Sequence, residues 1–539
     1  MRETGVADSD NGAASAEPAV EPQATRYSWY VLSVLVVVYI LNFIDRQIVS
    51  ILAVDIQRDL NIDNSDMGFL MGAAFGVFYA LFGIPLGRLA DNWSRVKLLS
   101  IGLALWSAMT ALSGFSKNFL QLGLARMGVG IGEATASPSA YSLISDYFPK
   151  RQRATALAIY SSGLYIGGGA SLFIGALIKQ NWDRAFPGGG PLGLVGWQAA
   201  FVAVGLPGLL VALWVFSLRE PKRGAMDGTP VVMSPTPFRD FVYDLSTIVP
   251  PFTLLGAARR GAGALLVNLI AAALLGLFAW AMIGVTGNTA QWSAVSIGFY
   301  AVFSWASNLR VRDPSTFALI WGTPAFLCTA VGYGLIALSS YGLAAWTAPY
   351  AELVLGLKKT ELAFWIGATS ALSGFLGVIM GGRLADALRT SNPAGRIIVI
   401  MVGVLGPVVP IWIAFTTASS TVFYSMFFAA GVLGSAALGA AAATTQDLVL
   451  PRMRGTATAV FFLATTLIGL GFGPYVVGLV ADLTGTVVEG KVQGNLRTGI
   501  LALLGVVPPA MLLLLYAYRT VPAAEATLIE RARAAGEPI

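Results

Sequence analysis

Of the 539 residues in this chain, 56% are hydrophobic and only 12% are charged, with a mean hydropathy of +0.71. That balance leaves too little polar surface for a soluble protein of this size, so lipid must be its main solvent. A formal charge of +6 would suggest nucleic acid in a soluble domain, but here Lys and Arg sit in short loops between apolar runs, where they set membrane orientation. One cysteine, Cys328, and no histidine rule out an intrachain disulfide and a thiolate metal cluster. No metal or cofactor is expected, and any proton chemistry falls to carboxylates.

Residues 1–26 are rich in Ala, Glu, Pro, Ser and Asp, without the basic start and apolar core of a signal peptide, and read as a disordered cytoplasmic tail. Apolar runs long enough to cross about 30 Å of hydrocarbon follow. They must be helices, because open strands cannot satisfy their backbone groups in lipid. Residues 27–218 hold six: 29–52, 67–90, 98–115, 119–148, 154–177 and 196–216. Residues 219–315 are longer than a plain linker and carry two more apolar stretches, 262–285 and 292–309, flanked by Arg259 and Arg260 on one side and Arg310 and Arg312 on the other. The pattern predicts an inserted hairpin, with an interfacial or re-entrant course as the alternative for the shorter, aromatic- and Ser-rich 292–309. Residues 316–520 hold a second six, at 317–350, 362–385, 397–417, 422–448, 456–481 and 498–518, before a cytoplasmic tail over 521–539. The fold class is therefore an all-α polytopic membrane protein, two six-helix bundles in tandem with an extra central hairpin, twelve plus two segments.

Arg88, Arg95, Lys97, Lys150, Arg151, Arg153, Arg389, Arg396, Arg452 and Arg454 all fall on one side of this threading. The positive-inside rule makes that side cytoplasmic and puts both termini inside an inner membrane. The two halves also repeat. Gly87-Arg88-Leu89-Ala90-Asp91 recurs letter for letter as Gly382-Arg383-Leu384-Ala385-Asp386, 295 residues on, and Arg151-Gln152-Arg153-Ala154-Thr155-Ala156 is echoed by Arg452-Met453-Arg454-Gly455-Thr456-Ala457, 301 residues on. Both copies keep the same sidedness, which relates the halves by an axis along the membrane normal and predicts a cavity between them.

Gly87-x-x-x-Asp91 followed by Arg95 and Lys97 resembles the signature loop of the major facilitator superfamily, with Asn92 standing where that signature usually has a base. Within the superfamily, Asn42-Phe43-Ile44-Asp45-Arg46 and Gly128-Val129-Gly130-Ile131-Gly132-Glu133-Ala134, preceded by Arg126, resemble the spinster-like lipid transporters, whose ordinary plan has twelve helices and no added hairpin. The resemblance implies a secondary active transporter working by alternating access. Its gate would involve Asp91, Arg95, Arg153 and Asp386 at the cytoplasmic ends of the spans; a static loop anchor is the competing reading of the same residues.

An ionisable group inside a span costs about 2.5–3.5 kcal/mol on insertion scales, so each needs a partner or a wet cavity. Asp45 and Arg46 lie about 24 Å into the first span and Arg126 about 10 Å into the oppositely directed fourth, so their depths can match. Glu133 is two helical turns beyond Arg126 on the same face. At the repeat offsets Arg126 maps to Phe427, Glu133 to Gly434, Asp45 to Ser340 and Arg46 to Tyr341, so the scaffold itself does not demand charge there. Arg126, Arg46, Asn42 and Phe43 are the expected substrate contacts. Asp45 and Glu133 are the expected proton-coupling pair. The expected cargo is an amphipathic anion of lysolipid or sphingoid type, with a small organic anion or drug as the alternative. The expected partners are cargo, protons and membrane lipids, with no nucleic acid, and the chain is expected to be a monomer. An ATP-driven pump is excluded, since Gly490-Lys491 is followed by Val492 with no phosphate-cradling pattern, and a membrane-embedded lipid-modifying enzyme would need a cluster of His or nucleophiles that the sequence lacks.

Overall fold

Backbone amides and carbonyls that cannot reach water have to pair within their own segment. In the computed structural model, which describes residues 23–224, 226, 233–488 and 491–538, they do so as helices. Most of the tail expected over 1–26 lies outside the described residues. The first half comprises α1 (Arg26–Leu60), α2 (Asn64–Asn92), α3 (Arg95–Ser113), α4 (Phe119–Glu133), α5 (Ala136–Tyr147), α6 (Lys150–Ala185) and α7 (Gly196–Phe216). The chain breaks between α4 and α5 at Ala134 and Thr135, so that together they make the fourth crossing. The linker forms α8 (Pro237–Ile248), α9 (Phe252–Arg259), α10 (Ala262–Thr286) and α11 (Thr289–Arg312). The second half comprises α12 (Pro314–Ile320), α13 (Pro324–Leu353), α14 (Lys359–Ser391), α15 (Gly395–Thr416), α16 (Ser420–Asp447), α17 (Pro451–Leu483), α18 (Leu496–Ala526) and α19 (Leu528–Ala534). A short antiparallel pair, β1 (Thr486–Val488) and β2 (Lys491–Gln493), lies between α17 and α18.

Among the described residues, 12 helices are long and apolar enough to cross a membrane, α10 included. The α4–α5 crossing falls outside that number because the break divides it, and α11 because it carries Gln291, Ser296, Ser304 and Asn308, all buried. Counting both gives the twelve plus two expected. The helices run past the expected spans at their polar ends, as in α1 and α6. Several elements were not foreseen, namely the β1–β2 pair, α19 within the expected tail, and α8 and α9, each too short to register as a span.

The inserted hairpin is unequal. α10 fully buries only Asn268 and Ala279, whereas α11 packs across the seam between the halves. Gly298 of α11 lies close to Val77 of α2 and to Leu467 of α17. Asn288 donates to Ser65 Oγ at 2.7 Å, on the first half, while Gln291 donates to the Gly471 carbonyl at 2.8 Å, on the second.

The halves themselves are joined by hydrogen bonds and an ion pair at the end remote from the arginine-rich loops. Ser50 Oγ donates to the Ala345 carbonyl at 2.6 Å. Lys359 of α14 pairs with the buried Asp55 of α1, and the Asp482 carboxylate accepts from Asn64 Nδ2 at 2.6 Å and from the Ser65 amide at 2.8 Å. Close approach of α2 and α17 depends on Gly68, where a Cβ would stand 2.6 Å from the Pro474 carbonyl oxygen. At the basic end the charges are held otherwise: Arg88 by Asp244 of the linker, Asp386 by Arg396 of its own half, and Arg452 by Asp313 and Glu537. The protein is thus shut at the acidic end.

Gly68→Val is expected to disfavour that closure by about 1–3 kcal/mol, the usual cost of overpacking. In a Cys328→Ala background, Ser50→Cys should then react with a polar thiol reagent several-fold faster than it does with Gly68 intact. A second prediction concerns Asp313. Burial pushes its carboxyl up, but donation from Arg452, Thr316 and Ser315 outweighs this and holds it well below the usual carboxylate range. A carboxyl depressed in the folded state stabilises above its unfolded value of about 3.9 and loses that contribution as pH falls further. The melting temperature of Asp313→Asn should therefore lie below wild type at pH 7, with the gap narrowing only once the pH drops under about 4.

Candidate functional site

The fourth crossing can approach its neighbours because its glycines leave room. A Cβ on Gly130 would stand 2.5 Å from the Phe75 carbonyl oxygen of α2, and one on Gly132 2.8 Å from the Gly102 carbonyl oxygen of α3. This packing sets Arg126 and Glu133 opposite the middle of α1, where Asn42 and Asp45 are buried and Arg46 is nearly so.

Four charged side chains meet there. Arg46 donates from Nη2 and Nε to Glu133 Oε2 at 2.7 and 3.3 Å. Arg126 donates from Nη1 to the backbone carbonyl of Asp45 at 3.1 Å. The Arg46 guanidinium lies over the rings of Phe43, Phe75 and Tyr79 at 4.9, 4.6 and 5.1 Å, and Arg126 over Phe75 at 5.5 Å. Tyr39 stacks on Tyr160 at 4.3 Å and meets Phe43 edge-on at 5.1 Å, which extends the aromatic wall toward α6. The formal charges cancel, but the pairing is uneven. Arg126 Nε and Nη2 are buried with no hydrogen-bond partner among the described residues. A buried donor or acceptor left so costs about 1–3 kcal/mol, and more when charged. Two of the three guanidinium nitrogens of Arg126 are thus left without a protein acceptor.

The four charged residues singled out from sequence are thus brought together, with Asn42 and Phe43 beside them. Asp45 and Arg46 do not reach out to an interface. The partner of Glu133 is Arg46 on another helix, although Arg126 is its neighbour along α4. Tyr341 of α13 was not singled out as a site residue. It lines, with Arg46, Ser50 and Leu470, a cavity of about 20 Å³ where the halves meet, room for about one water molecule. The repeat carried the signal, since Tyr341 occupies the position of the second half that corresponds to Arg46.

The residues expected to gate are scattered in this conformation. Asp91 is exposed. Arg95 is fully buried between Asp146 and Glu220, Arg153 donates to the Ser145 carbonyl at 2.8 Å, and Asp386 accepts from Arg396 at 3.3 Å. Among the described residues no three His, Cys, Asp or Glu side chains converge as metal ligands.

Two pseudo-equivalent helical bundles, the first holding a buried charge cluster, define a multi-pass membrane transporter. The profile described as Major Facilitator Superfamily matches residues 35–474, and the chain belongs to that family. It is similar to an MFS-type efflux pump of Mycolicibacterium smegmatis, 25% identical over 85% of each chain, and to protein spinster homolog 1 of Homo sapiens, 26% identical over 84% of this chain and 72% of the human one. Among solved structures it resembles a bacterial homolog of the human lysosomal transporter Spinster, in an inward-facing and unoccupied conformation, with a TM-score of 0.66, 26% identity, and coverage of 94% of this chain and 98% of that one.

Removing one member of the buried pair should cost more than removing both. Arg46→Ala strands Glu133 and is expected to destabilise by about 3–5 kcal/mol, whereas Arg46→Met with Glu133→Gln should cost clearly less. Thermal melting of the three detergent-solubilised proteins checks the order.

Proposed function

We propose that this chain is a proton-coupled secondary transporter for an amphipathic, lipid-like anion. The observation that carries the reading is Arg126, buried in the middle of the first half with two guanidinium nitrogens unpartnered and an aromatic wall beside it. An anionic head group would take those donors in the planar fork that suits phosphate and carboxylate. Its apolar part would lie along Tyr39, Phe43, Tyr79 and Tyr341.

Coupling follows from the unequal pairing. A proton on Glu133 weakens its hold on Arg46, and one on Asp45 removes the carboxylate charge nearest Arg126; either change alters how strongly the site attracts an anion. The two halves would rock about the site. The contacts of Asp55 with Lys359 and of Asp482 with Asn64 and Ser65 would break as the acidic end opens, and Asp91, Arg95, Arg153 and Asp386 would come together as the basic end shuts. By the positive-inside rule the basic end would be cytoplasmic, with both termini on that side of an inner membrane; the protein would act as a monomer. A second reading, a small organic anion or drug, is favoured by the efflux-pump relative and by a site that needs only an anionic group.

Thermal-shift binding of a lysophospholipid panel and of water-soluble carboxylates, at pH 6 and pH 8, tests the proposal. Lysophospholipid should bind saturably and with a pH dependence, and Arg126→Ala should weaken binding about 10- to 100-fold, the loss expected for a charge-assisted contact. Glu133→Gln should flatten the pH dependence. Binding of the carboxylates alone would favour the second reading, and lysophospholipid binding indifferent to Arg126 would remove Arg126 from the site.

A further inference from the structure

Helices α8 and α9 meet at 100° and fold back on the basic end of the protein. α8 runs beside the last turns of α2, with Phe238 against Trp93 at 5.1 Å and Asp244 accepting from Arg88 through both oxygens at 2.6 and 2.9 Å. α9 lies against α11, where Thr253 Oγ1 meets Tyr300 OH at 3.2 Å and Arg260 reaches Ser307 Oγ at 3.4 Å. With 12 and 8 residues at right angles, neither helix can cross about 30 Å of hydrocarbon. Arg260 passes within two residues into α10, a crossing of 25 residues, which fixes α9 at the depth where a crossing begins.

At that depth the pair turns its apolar side outward. Phe238, Val242, Phe252 and Leu255 are each 50–60% exposed, and Arg239 and Arg259 stand exposed among them. The inward side of α8 buries Asp244 together with Thr247 and Ile248, and Asp244 is bonded to Arg88 and 3.5 Å from Arg312. Large apolar side chains at the edge of a lipid-embedded bundle, interleaved with arginines, have the chemistry of an element seated between acyl chains and anionic headgroups.

We propose that α8 and α9 form a binding surface for the anionic headgroups of the leaflet at the basic end, and that seating there, transmitted through Asp244, holds the loop between α2 and α3 in place. The occupant is the lipid leaflet itself, and the assignment does not depend on which cargo is carried. Because Arg88 and Asp91 lie in the last turns of α2, next to that loop, the headgroup charge of the membrane would bear on the part of the first half that moves when the basic end closes.

The test uses the full chain with Cys328→Ala and Leu255→Cys, labelled with bimane, in nanodiscs of phosphatidylcholine containing phosphatidylglycerol. Doxyl-labelled phosphatidylglycerol should quench the label at a lower mole fraction than doxyl-labelled phosphatidylcholine, a preference of about fivefold for each arginine engaged. The preference should vanish in Arg239→Gln with Arg259→Gln, both surface changes. Amide hydrogen exchange over residues 88–94 should slow as phosphatidylglycerol is added, and should not respond in Asp244→Asn. Equal quenching by the two lipids, or a preference that survives loss of both arginines, overturns the headgroup site. Quenching by neither places α8 and α9 against water or protein and overturns it as well. Exchange over 88–94 that ignores lipid charge overturns the link through Asp244.

Discussion

A guanidinium and a carboxylate facing each other in the middle of an apolar bundle impose more on this protein than any other contact. Arg46 and Glu133 are 87 residues apart and meet at 2.7 Å with Glu133 wholly buried. Neither charge is tolerable in that environment alone. α1 and the fourth crossing must therefore hold a fixed depth and rotation relative to each other, and the glycines of α4 make this possible by letting its backbone press on α2 and α3. The same packing leaves Arg126 with a backbone carbonyl for its contact and two donors over. A structural pair and an underused cation thus lie side by side, the first fixing the geometry and the second keeping two guanidinium nitrogens without a protein acceptor.

That cluster lies in one half of a duplicated scaffold. The second half repeats the loop pentapeptide and the helical plan, yet places Phe427, Gly434, Ser340 and Tyr341 where the first half has Arg126, Glu133, Asp45 and Arg46. The scaffold is pseudo-symmetric and the chemistry is not. Tyr341 shows how the two relate: across the interface between the halves it shares a cavity with the arginine whose position it duplicates. The contacts that close the acidic end, through Ser50, Asp55 and Asp482, are by contrast drawn from both halves and depend on small residues such as Gly68.

The linker ties these parts together. Asp244 takes Arg88, Glu220 takes Arg95, and Arg223 donates to the Trp93 carbonyl at 2.6 Å, so the loop between α2 and α3 is held by the linker in this conformation. Burial pushes the Glu220 carboxyl up, but the Val96 amide and the Arg95 guanidinium outweigh it and hold it below its ordinary value, as befits a carboxylate used as a staple. α11 meanwhile touches both halves near the closed end. An insertion that could have been a peripheral appendage is built into the seam.

The sequence by itself determined the solvent, the duplication and the identity of the intramembrane charges, because hydropathy over a span and letter-for-letter repeats are local properties that survive without a fold. It also placed Asp45, Arg46 and Arg126 at compatible depths, since rise per residue is fixed in a helix. Which charge pairs with which was decided only by tertiary structure. Arg126 and Glu133 share a helix face, but Glu133 is claimed by Arg46 because rotation of α1 against α4 is set by packing that no single helix encodes. The helices α8 and α9 escaped notice for a related reason: an element shorter than a crossing has no hydropathy signature of its own, and its apolar side acquires meaning only when α10 fixes its depth. Which end of the protein is shut likewise follows from contacts between residues hundreds of positions apart, such as Asn64 and Asp482, and not from any stretch of sequence.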